Sequence, residues 1–262
     1  MADPTGSDRS LDARVALVTG GTSGIGEATA HALARSGARV ILVGRRVDRG
    51  AAVAEAICKA GGEAVFHQAD VRDATDCDSM VAAALERWGR LDIAFNNAGI
   101  FDPPARIEDY EDEAWQTMLN ANLSSVFRSM RAEIRAMKTN GGGSIVNNAS
   151  TVAHRGSHAG SPGYIVAKHG VLGLTRQAAV QSVGDRIRVN AVSPGPTRTE
   201  ISDALVAQGS EVVRAALGSL NPTGKFVTVE QVAQAVVYLC SDAASMINGQ
   251  DIVLDGGQLA SL

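Results

Sequence analysis

Short apolar runs alternate with stretches of helical periodicity along almost the whole chain. The apolar runs predict strands at residues 15–18, 40–43, 64–67, 91–95, 144–147, 187–192 and 251–254. The periodic stretches predict helices at residues 26–36, 47–60, 75–88, 113–138, 163–183 and 229–241. Continuously apolar strands that alternate with helices are typical of a parallel sheet covered on both faces. The pattern therefore predicts an α/β protein, doubly wound, with a mostly seven-stranded parallel sheet.

Chain length and composition favour one soluble domain. The 262 residues would fit one large or two small domains, but no linker or compositional break divides them, so residues 1–262 are predicted to be one Rossmann-like domain. The polar residues 1–12 are predicted to be a loose leader, because they lack the apolar stretch of a signal peptide. Residues 194–225 are the least regular stretch and are predicted to form a substrate loop or lid.

Charge and cysteine content exclude several classes of partner. The net charge of −4 argues against a nucleic-acid partner, and no apolar run reaches the roughly 20 residues of a membrane helix. Three cysteines without metal-like spacing, Cys58, Cys77 and Cys240, are interpreted as free thiols. Free thiols suit a reducing compartment, so we expect a cytoplasmic protein. The five histidines, of which only His154 and His158 are closely spaced, are interpreted as offering no metal-ligand set, so no metal site is expected.

A glycine-rich turn lies between the first predicted strand and helix. Gly20, Gly24 and Gly26 occupy it. Glycines at that place allow a tight turn and close approach of the backbone to a pyrophosphate, and the helix N-terminus offers unpaired N–H groups. A glycine-rich turn without a ligand is the alternative interpretation.

A second candidate motif is Tyr164-Ile165-Val166-Ala167-Lys168, with Ser150 upstream. Residues four apart share a helix face. Lowering a phenol pKa from about 10 to about 7 takes roughly 4 kcal/mol, and an ammonium about 5 Å away contributes roughly 3 kcal/mol. Tyr164 is therefore a candidate general acid/base, with Lys168 expected to lower its pKa and Ser150 expected to bind the substrate oxygen.

Together these motifs resemble the classical short-chain dehydrogenase/reductase family. Residues 19–26 match its TGxxxGxG turn, residues 96–99 its NNAG motif, Tyr164 and Lys168 its active-site pair, and residues 193–199 its PG motif. The match spans roughly residues 11–257. It implies an oxidoreductase that transfers hydride between a nicotinamide dinucleotide and a ketone or secondary alcohol.

The resemblance assigns the cofactor contacts residue by residue. Asp70 and Val71 are expected to flank the adenine, and Thr197 and Thr199 to meet the nicotinamide carboxamide. For Asn97 a structural role is an equal alternative, and for Asp70 a helix or turn cap is one. The full expected set is Gly20, Thr22, Ser23, Gly24, Ile25, Gly26, Arg45, Arg46, Asp70, Val71, Asn97, Ala98, Gly99, Tyr164, Lys168, Pro194, Gly195, Thr197 and Thr199.

The second strand favours NADP(H) over NAD(H). The family's acidic position, which selects NAD, falls on Gly44, and Arg45 and Arg46 follow it. Guanidinium groups bind phosphate bidentately, so Arg45 is expected to be the main contact to a 2′-phosphate. Ser23 stands where many NADP-dependent relatives carry Lys or Arg, and Asp48 is near, so NAD(H) remains the alternative.

The resemblance also implies the catalytic set Asn122, Ser150, Tyr164 and Lys168. Asn122 matches the helix Asn that holds a water for proton relay, with Asn120 as a competitor. Ser150 lies 14 residues before Tyr164, one more than is usual, and Thr151 has the usual spacing. We prefer Ser150 because residues 145–150 align with the family's strand. The extra residue then falls in 154–163, where His154 and His158 are interpreted as exposed or as facing substrate.

A catalytically inactive dinucleotide-binding regulator is the rival function, and the complete catalytic set argues against it. The apolar helices at 113–138 and around Val166 predict a homotetramer, with a dimer as the second choice. The substrate is expected to be a small molecule.

Overall fold

The computed structural model describes residues 10–157, 160–199 and 221–261. Its centre is a seven-stranded sheet in the order β3-β2-β1-β4-β5-β6-β7. Every neighbouring pair of strands is parallel. The strands are β1 Val15–Thr19, β2 Arg39–Gly44, β3 Glu63–Gln68, β4 Ile93–Asn96, β5 Gly143–Asn148, β6 Ile187–Pro194 and β7 Asp251–Leu254. The predicted parallel sheet is confirmed, with strand bounds shifted by at most two residues.

Helices cover both faces of this sheet, as predicted. They are α1 Gly24–Arg35, α2 Val47–Lys59, α3 Ala74–Trp88, α4 Asp112–Leu119, α5 Ser125–Thr139, α6 Pro162–Ser182 and α7 Val229–Cys240. Buried residues of α1, α2 and α7 form the apolar core on one face. Those of α3, α5 and α6 form the core on the other. Strand β1 serves both, since Val15 and Leu17 point to one core and Ala16 and Val18 to the other.

The helix predicted for residues 113–138 is wrong as a single element. A π-helical turn, Asn120–Ser124, separates α4 from α5. Within it the Asn122 side chain donates to the Met118 carbonyl at 3.2 Å and accepts from the Ile100 amide at 3.0 Å. The Asn122 side-chain amide thus donates to the Met118 carbonyl, which in an α-helix would accept from the Asn122 backbone N–H. Hydrophobic periodicity cannot register this competition, because it reports side-chain spacing alone.

The predicted leader and lid are described only in part. Residues 1–9 and 200–220 lie outside the described residues. Leu11 is buried, and its amide donates to the Ser36 carbonyl at 2.9 Å. The end of the predicted loose leader is therefore packed, because Leu11 joins the core beside α1. No helix in the described part of the chain has the length and apolarity of a membrane span.

The core on the α5 side of the sheet contains a buried carboxyl group. Glu133 on α5 is fully buried, and one of its oxygens accepts from the Asn96 amide at 3.0 Å. Burial raises the pKa of the Glu133 carboxyl to about 8, because the charged form loses its hydration. At neutral pH the native carboxyl therefore keeps its proton, whereas the unfolded carboxyl gives it up.

This difference predicts a pH dependence of stability. The native state binds more protons than the unfolded state between the unfolded pKa and about 8, so the free energy of unfolding falls as pH rises through that window. The slope from this group is at most about 1.4 kcal/mol per pH unit. Glu133→Gln should flatten the dependence, as measured by urea unfolding between pH 5 and pH 9. An unchanged slope in the variant would contradict the buried, protonated assignment.

Candidate active site

A cavity of about 610 Å³ lies at the carboxyl ends of the strands. It opens beside β1 and β4, where the chain order of the sheet reverses, which is the usual ligand position in such sheets. All but one of the residues expected to bind cofactor or catalyse line it. The exception, Gly26, lies behind the glycine-rich turn. The structure therefore brings together side chains from distant parts of the sequence.

The glycine-rich turn is shaped for an anion. Gly20 and Gly24 have φ of 64° and 55°, in the region that favours glycine. Ser23 precedes α1 without capping it through its side chain, so N–H groups of the first turn face the cavity. The turn therefore fits a dinucleotide pyrophosphate at a helix N-terminus.

A chain of hydrogen bonds links this turn to Lys168. The Asn97 amide nitrogen donates to the Thr19 and Gly20 carbonyls at 3.1 and 3.3 Å. Its oxygen accepts from the Asn148 amide at 2.9 Å, and the Asn148 carbonyl accepts from Lys168 Nζ at 2.7 Å. Asn97 therefore has a structural role within the cavity wall. Sequence reasoning missed Asn148, whose only signal is its position at the end of β5.

Tyr164 and Lys168 lie on one face of α6, as their spacing predicts. Lys168 Nζ is 5.7 Å from the centre of the Tyr164 ring. Burial raises the pKa of the Tyr164 phenol to about 12, and a hydrogen bond with Ser150 opposes this rise. Burial lowers the pKa of the Lys168 ammonium to about 8. The expected lowering of the Tyr164 pKa is thus wrong for the protein alone, because desolvation penalises both charged forms.

Ser150 rather than Thr151 contacts the phenol. The Ser150–Tyr164 hydrogen bond is one cause of the phenol's pKa, and Ser150 also accepts weakly from the Val152 amide at 3.4 Å. Thr151 lines the cavity but is almost fully buried. This geometry supports the preference for Ser150 over the residue with the usual spacing.

Residues in the segment that follows β4 contact the start of α6. Ser161 caps α6 by accepting from the Tyr164 amide at 3.2 Å, and its hydroxyl donates to Asp102. Tyr110 donates to the other oxygen of Asp102 at 2.6 Å. The Phe101 ring meets the Tyr164 ring edge-on at 5.1 Å. Sequence reasoning missed this network; a Ser before a Pro-initiated helix was its available signal.

Four charged side chains surround the opposite end of the cavity. Arg46 donates to Ser23 at 2.6 Å and to Thr22 at 3.1 Å, so it brings to the glycine-rich turn the cation that the turn's own sequence lacks. Arg45 lies 3.9 Å from Asp70. Arg72 binds Asp70 at 2.5 Å and holds the pKa of that carboxyl below its usual range.

Most of the remaining residues that were expected to contact the cofactor line this cavity. Asp73, not Asp70, caps α3, but Asp70 caps the preceding turn, since its Oδ1 accepts from the Arg72 amide at 3.1 Å. Val71, Ala98, Gly99, Pro194, Gly195 and Thr199 line the cavity, as does Thr197. His154 binds Asp251 at 2.6 Å on β7, which ties its loop to the sheet. His158 lies outside the described residues.

Comparisons with known proteins identify the family to which the chain belongs. A family model described as enoyl-(acyl carrier protein) reductase matches residues 20–258. The chain is 39% identical to cyclohexanol dehydrogenase of Acinetobacter sp. (strain SE19), over 93% of this chain and 94% of that protein. The chain belongs to the classical short-chain dehydrogenase/reductase family.

Two further members of the family are similar to the chain, one compared by sequence and one by structure. Cis-4-hydroxycyclohexanecarboxylate dehydrogenase of Sinomonas cyclohexanicum is 38% identical, over 94% of this chain and 97% of that protein. The crystal structure of levodione reductase superposes with a TM-score of 0.90 at 34% identity, covering 96% of this chain and 100% of that one. The protein is accordingly an NAD(P)-dependent oxidoreductase that acts on hydroxyl or carbonyl groups.

Proposed function

We propose that the protein transfers hydride between NADP(H) and a ketone or secondary alcohol, with Tyr164 as the general acid/base. The observation that carries this proposal is one cavity that joins the anion-binding turn to the Ser150, Tyr164 and Lys168 side chains. When bound, the nicotinamide supplies or accepts the hydride.

The side chains of the cavity provide the proton chemistry. In the reducing direction, Tyr164 gives its proton to the carbonyl oxygen while the Ser150 hydroxyl donates a hydrogen bond to that oxygen. Lys168 lies close enough to stabilise the phenolate that results. In the oxidising direction the same phenolate takes the alcohol proton. Asn122 is proposed to position a relay water, although its side-chain amide is already bound to Ile100 and Met118.

The wall beside Tyr164 suits a small ring or branched carbon skeleton. Phe101 meets the Tyr164 ring, and Ile100, Val152 and Phe226 are further apolar side chains of the cavity lining. Relatives named for cyclohexanol and for a hydroxycyclohexanecarboxylate support substrates of this size. We therefore propose cyclic secondary alcohols, or the matching ketones, as substrates.

Turnover of such substrates tests the function. Purified protein with NADPH or NADH should reduce cyclohexanone and 4-substituted cyclohexanones, followed by loss of nicotinamide absorbance. A dinucleotide-binding protein that turns over none of a wide panel of ketones and alcohols would favour the regulatory alternative.

Arg45→Ala should weaken NADPH binding by about 1.5–3 kcal/mol, because it removes charge-assisted hydrogen bonds to the 2′-phosphate. The Arg45 side chain is more than half exposed, and the ion pair that it makes within the described residues, to Asp70, is 3.9 Å long, so its loss leaves the fold intact. Fluorescence titration with NADPH measures the effect.

NADH affinity is the internal control and should change little in Arg45→Ala. Arg46→Ala, measured alongside, should weaken both cofactors, because Arg46 also holds the glycine-rich turn through Thr22 and Ser23. Tighter binding of NADH than of NADPH by the wild-type protein would show that Gly44 and Arg45 do not select NADP(H).

We also propose that the described sheet and helices form one domain and that the protein assembles as a homotetramer, with a dimer as the alternative. Exposed Phe127 on α5 and Val166 and Val180 on α6 support an interface. Met118 and Val171, which lie in the same two predicted helical segments, are buried within the chain itself. Light scattering at micromolar concentration measures the assembly state.

A further inference from the structure

One cationic side chain at the catalytic end of the cavity has no part in the proton chemistry. Arg155 follows Ser150 in the loop that leads to Tyr164, and all three line the same cavity. The other described arginines of the lining, Arg45, Arg46 and Arg72, follow β2 and β3 at the opposite end. Arg155 is therefore placed to meet the substrate.

In the described part of the chain, the Arg155 guanidinium has no polar partner. Its Nε is buried and makes no hydrogen bond. Within residues 10–157, 160–199 and 221–261, no hydrogen bond or ion pair to Arg155 is present. A buried donor without an acceptor is costly, and native proteins rarely leave one unsatisfied. An acceptor supplied by a ligand would remove this cost.

The surroundings specify the charge of that ligand. Lys168, the cation beside Tyr164, is already bound to the Asn148 carbonyl. Asp70 is the carboxylate among the described lining residues, and it is paired with Arg72 at the far end. The catalytic end as described is thus cationic, with apolar walls at Phe101 and Val152. Such a site favours an anionic group on an apolar skeleton.

We propose that Arg155 binds the carboxylate of the substrate, so that the preferred substrates are hydroxy or oxo carboxylic acids with an apolar skeleton. A guanidinium offers two parallel N–H donors that match the two oxygens of a carboxylate. This inference rests on the proposed function, since it names the substrate class of the same site. Arg155 selects the substrate and takes no part in hydride or proton transfer.

Matched substrates that differ only in charge test the assignment. Wild-type protein should use 4-oxocyclohexanecarboxylate with kcat/KM about 10- to 100-fold above that for 4-oxocyclohexanecarboxamide. Arg155→Gln should abolish this preference, chiefly by raising KM for the acid, and should leave the amide within about threefold. Arg155→Lys should retain part of the preference, since it keeps the charge but not the fork. The exposed Arg87 provides the control, because Arg87→Gln should change neither value.

Binding without turnover supplies an independent measurement. Cyclohexanecarboxylate, titrated calorimetrically into the protein with NADP⁺, should bind at least 10-fold tighter than cyclohexanecarboxamide in the wild type and equally weakly in Arg155→Gln. Equal binding of acid and amide to the wild type would overturn the inference. So would weaker NADP⁺ binding by Arg155→Gln without substrate, which would assign the guanidinium to the cofactor.

The two proposals fail in different ways. Turnover of the amide without any preference for the acid rejects the role of Arg155 and leaves the proposed function standing. Absence of ketone reduction, with acid-selective binding that depends on Arg155, rejects the function and retains the anion site.

Discussion

Tyr164→Phe is expected to lower kcat by about 10²–10⁴-fold while cofactor binding remains unchanged. The substitution removes the proton that the phenol gives to the substrate oxygen and keeps the ring. Phe101 meets that ring edge-on at 5.1 Å, so the packing at the start of α6 is preserved. Steady-state kinetics with a turned-over ketone, and titration of the variant with NADPH, measure the two effects.

Ser161→Ala is the matched control for this experiment. It removes the cap that accepts from the Tyr164 amide and should destabilise the protein by about 1 kcal/mol, while the proton carrier remains. A Tyr164→Phe variant with near-normal kcat would reject the phenol as general acid/base. If Tyr164→Phe lost both kcat and folded protein, comparison with Ser161→Ala would show whether the loss of packing explains the loss of kcat.

Gly26→Ala is expected to abolish cofactor binding and to destabilise the protein by about 1–3 kcal/mol. A Cβ at Gly26 would overlap the Gly20 carbonyl oxygen and lie 2.7 Å from the Asn97 amide nitrogen. The backbone of the glycine-rich turn must shift to admit it, which moves the N–H groups away from the pyrophosphate. NADPH titration and urea unfolding report the two losses.

Gly173→Ala is the comparison for that variant. Gly173 also lies within a helix, α6, but a Cβ there meets no atom within 4 Å. This substitution should stabilise the protein by about 0.5–1 kcal/mol through helix propensity. If Gly26→Ala bound NADPH as the wild type does, the close packing of α1 on the turn would be irrelevant to the cofactor.

Local sequence patterns sufficed for the sheet, the glycine-rich turn and the Tyr164–Lys168 pair, whereas the remaining candidate site residues were assigned by the family resemblance. The apolar run at residues 40–43 is continuous because both faces of β2 are buried. Glycine spacing located the turn before α1, and the four-residue spacing placed Tyr164 and Lys168 on one face. These features depend on neighbours in the chain, so the sequence displays them directly.

Other features depend on contacts between distant residues, and sequence patterns did not contain them. The anchoring of Lys168 by Asn148 and the capture of Ser161 by Asp102 require the folded sheet. The pKa of Tyr164 was predicted from one neighbouring charge, whereas burial of the whole pair dominates it. Arg155 was passed over because an arginine in a loop is ordinarily solvated, and its buried Nε is visible only in three dimensions.

The π-helical turn at Asn120–Ser124 also restricts how the chain can change in length. Because a π-helical turn holds one residue more than an α-helical turn, deleting one residue from it would give an unbroken α-helix that keeps Val126, Met130 and Met137 in the core. The deletion would instead remove the position from which Asn122 binds the Met118 carbonyl and the Ile100 amide. The turn after α2 has no such constraint, since Gly61 has open space around it. Insertions and deletions among descendants of this chain should therefore accumulate at the α2 turn and be absent from residues 120–124.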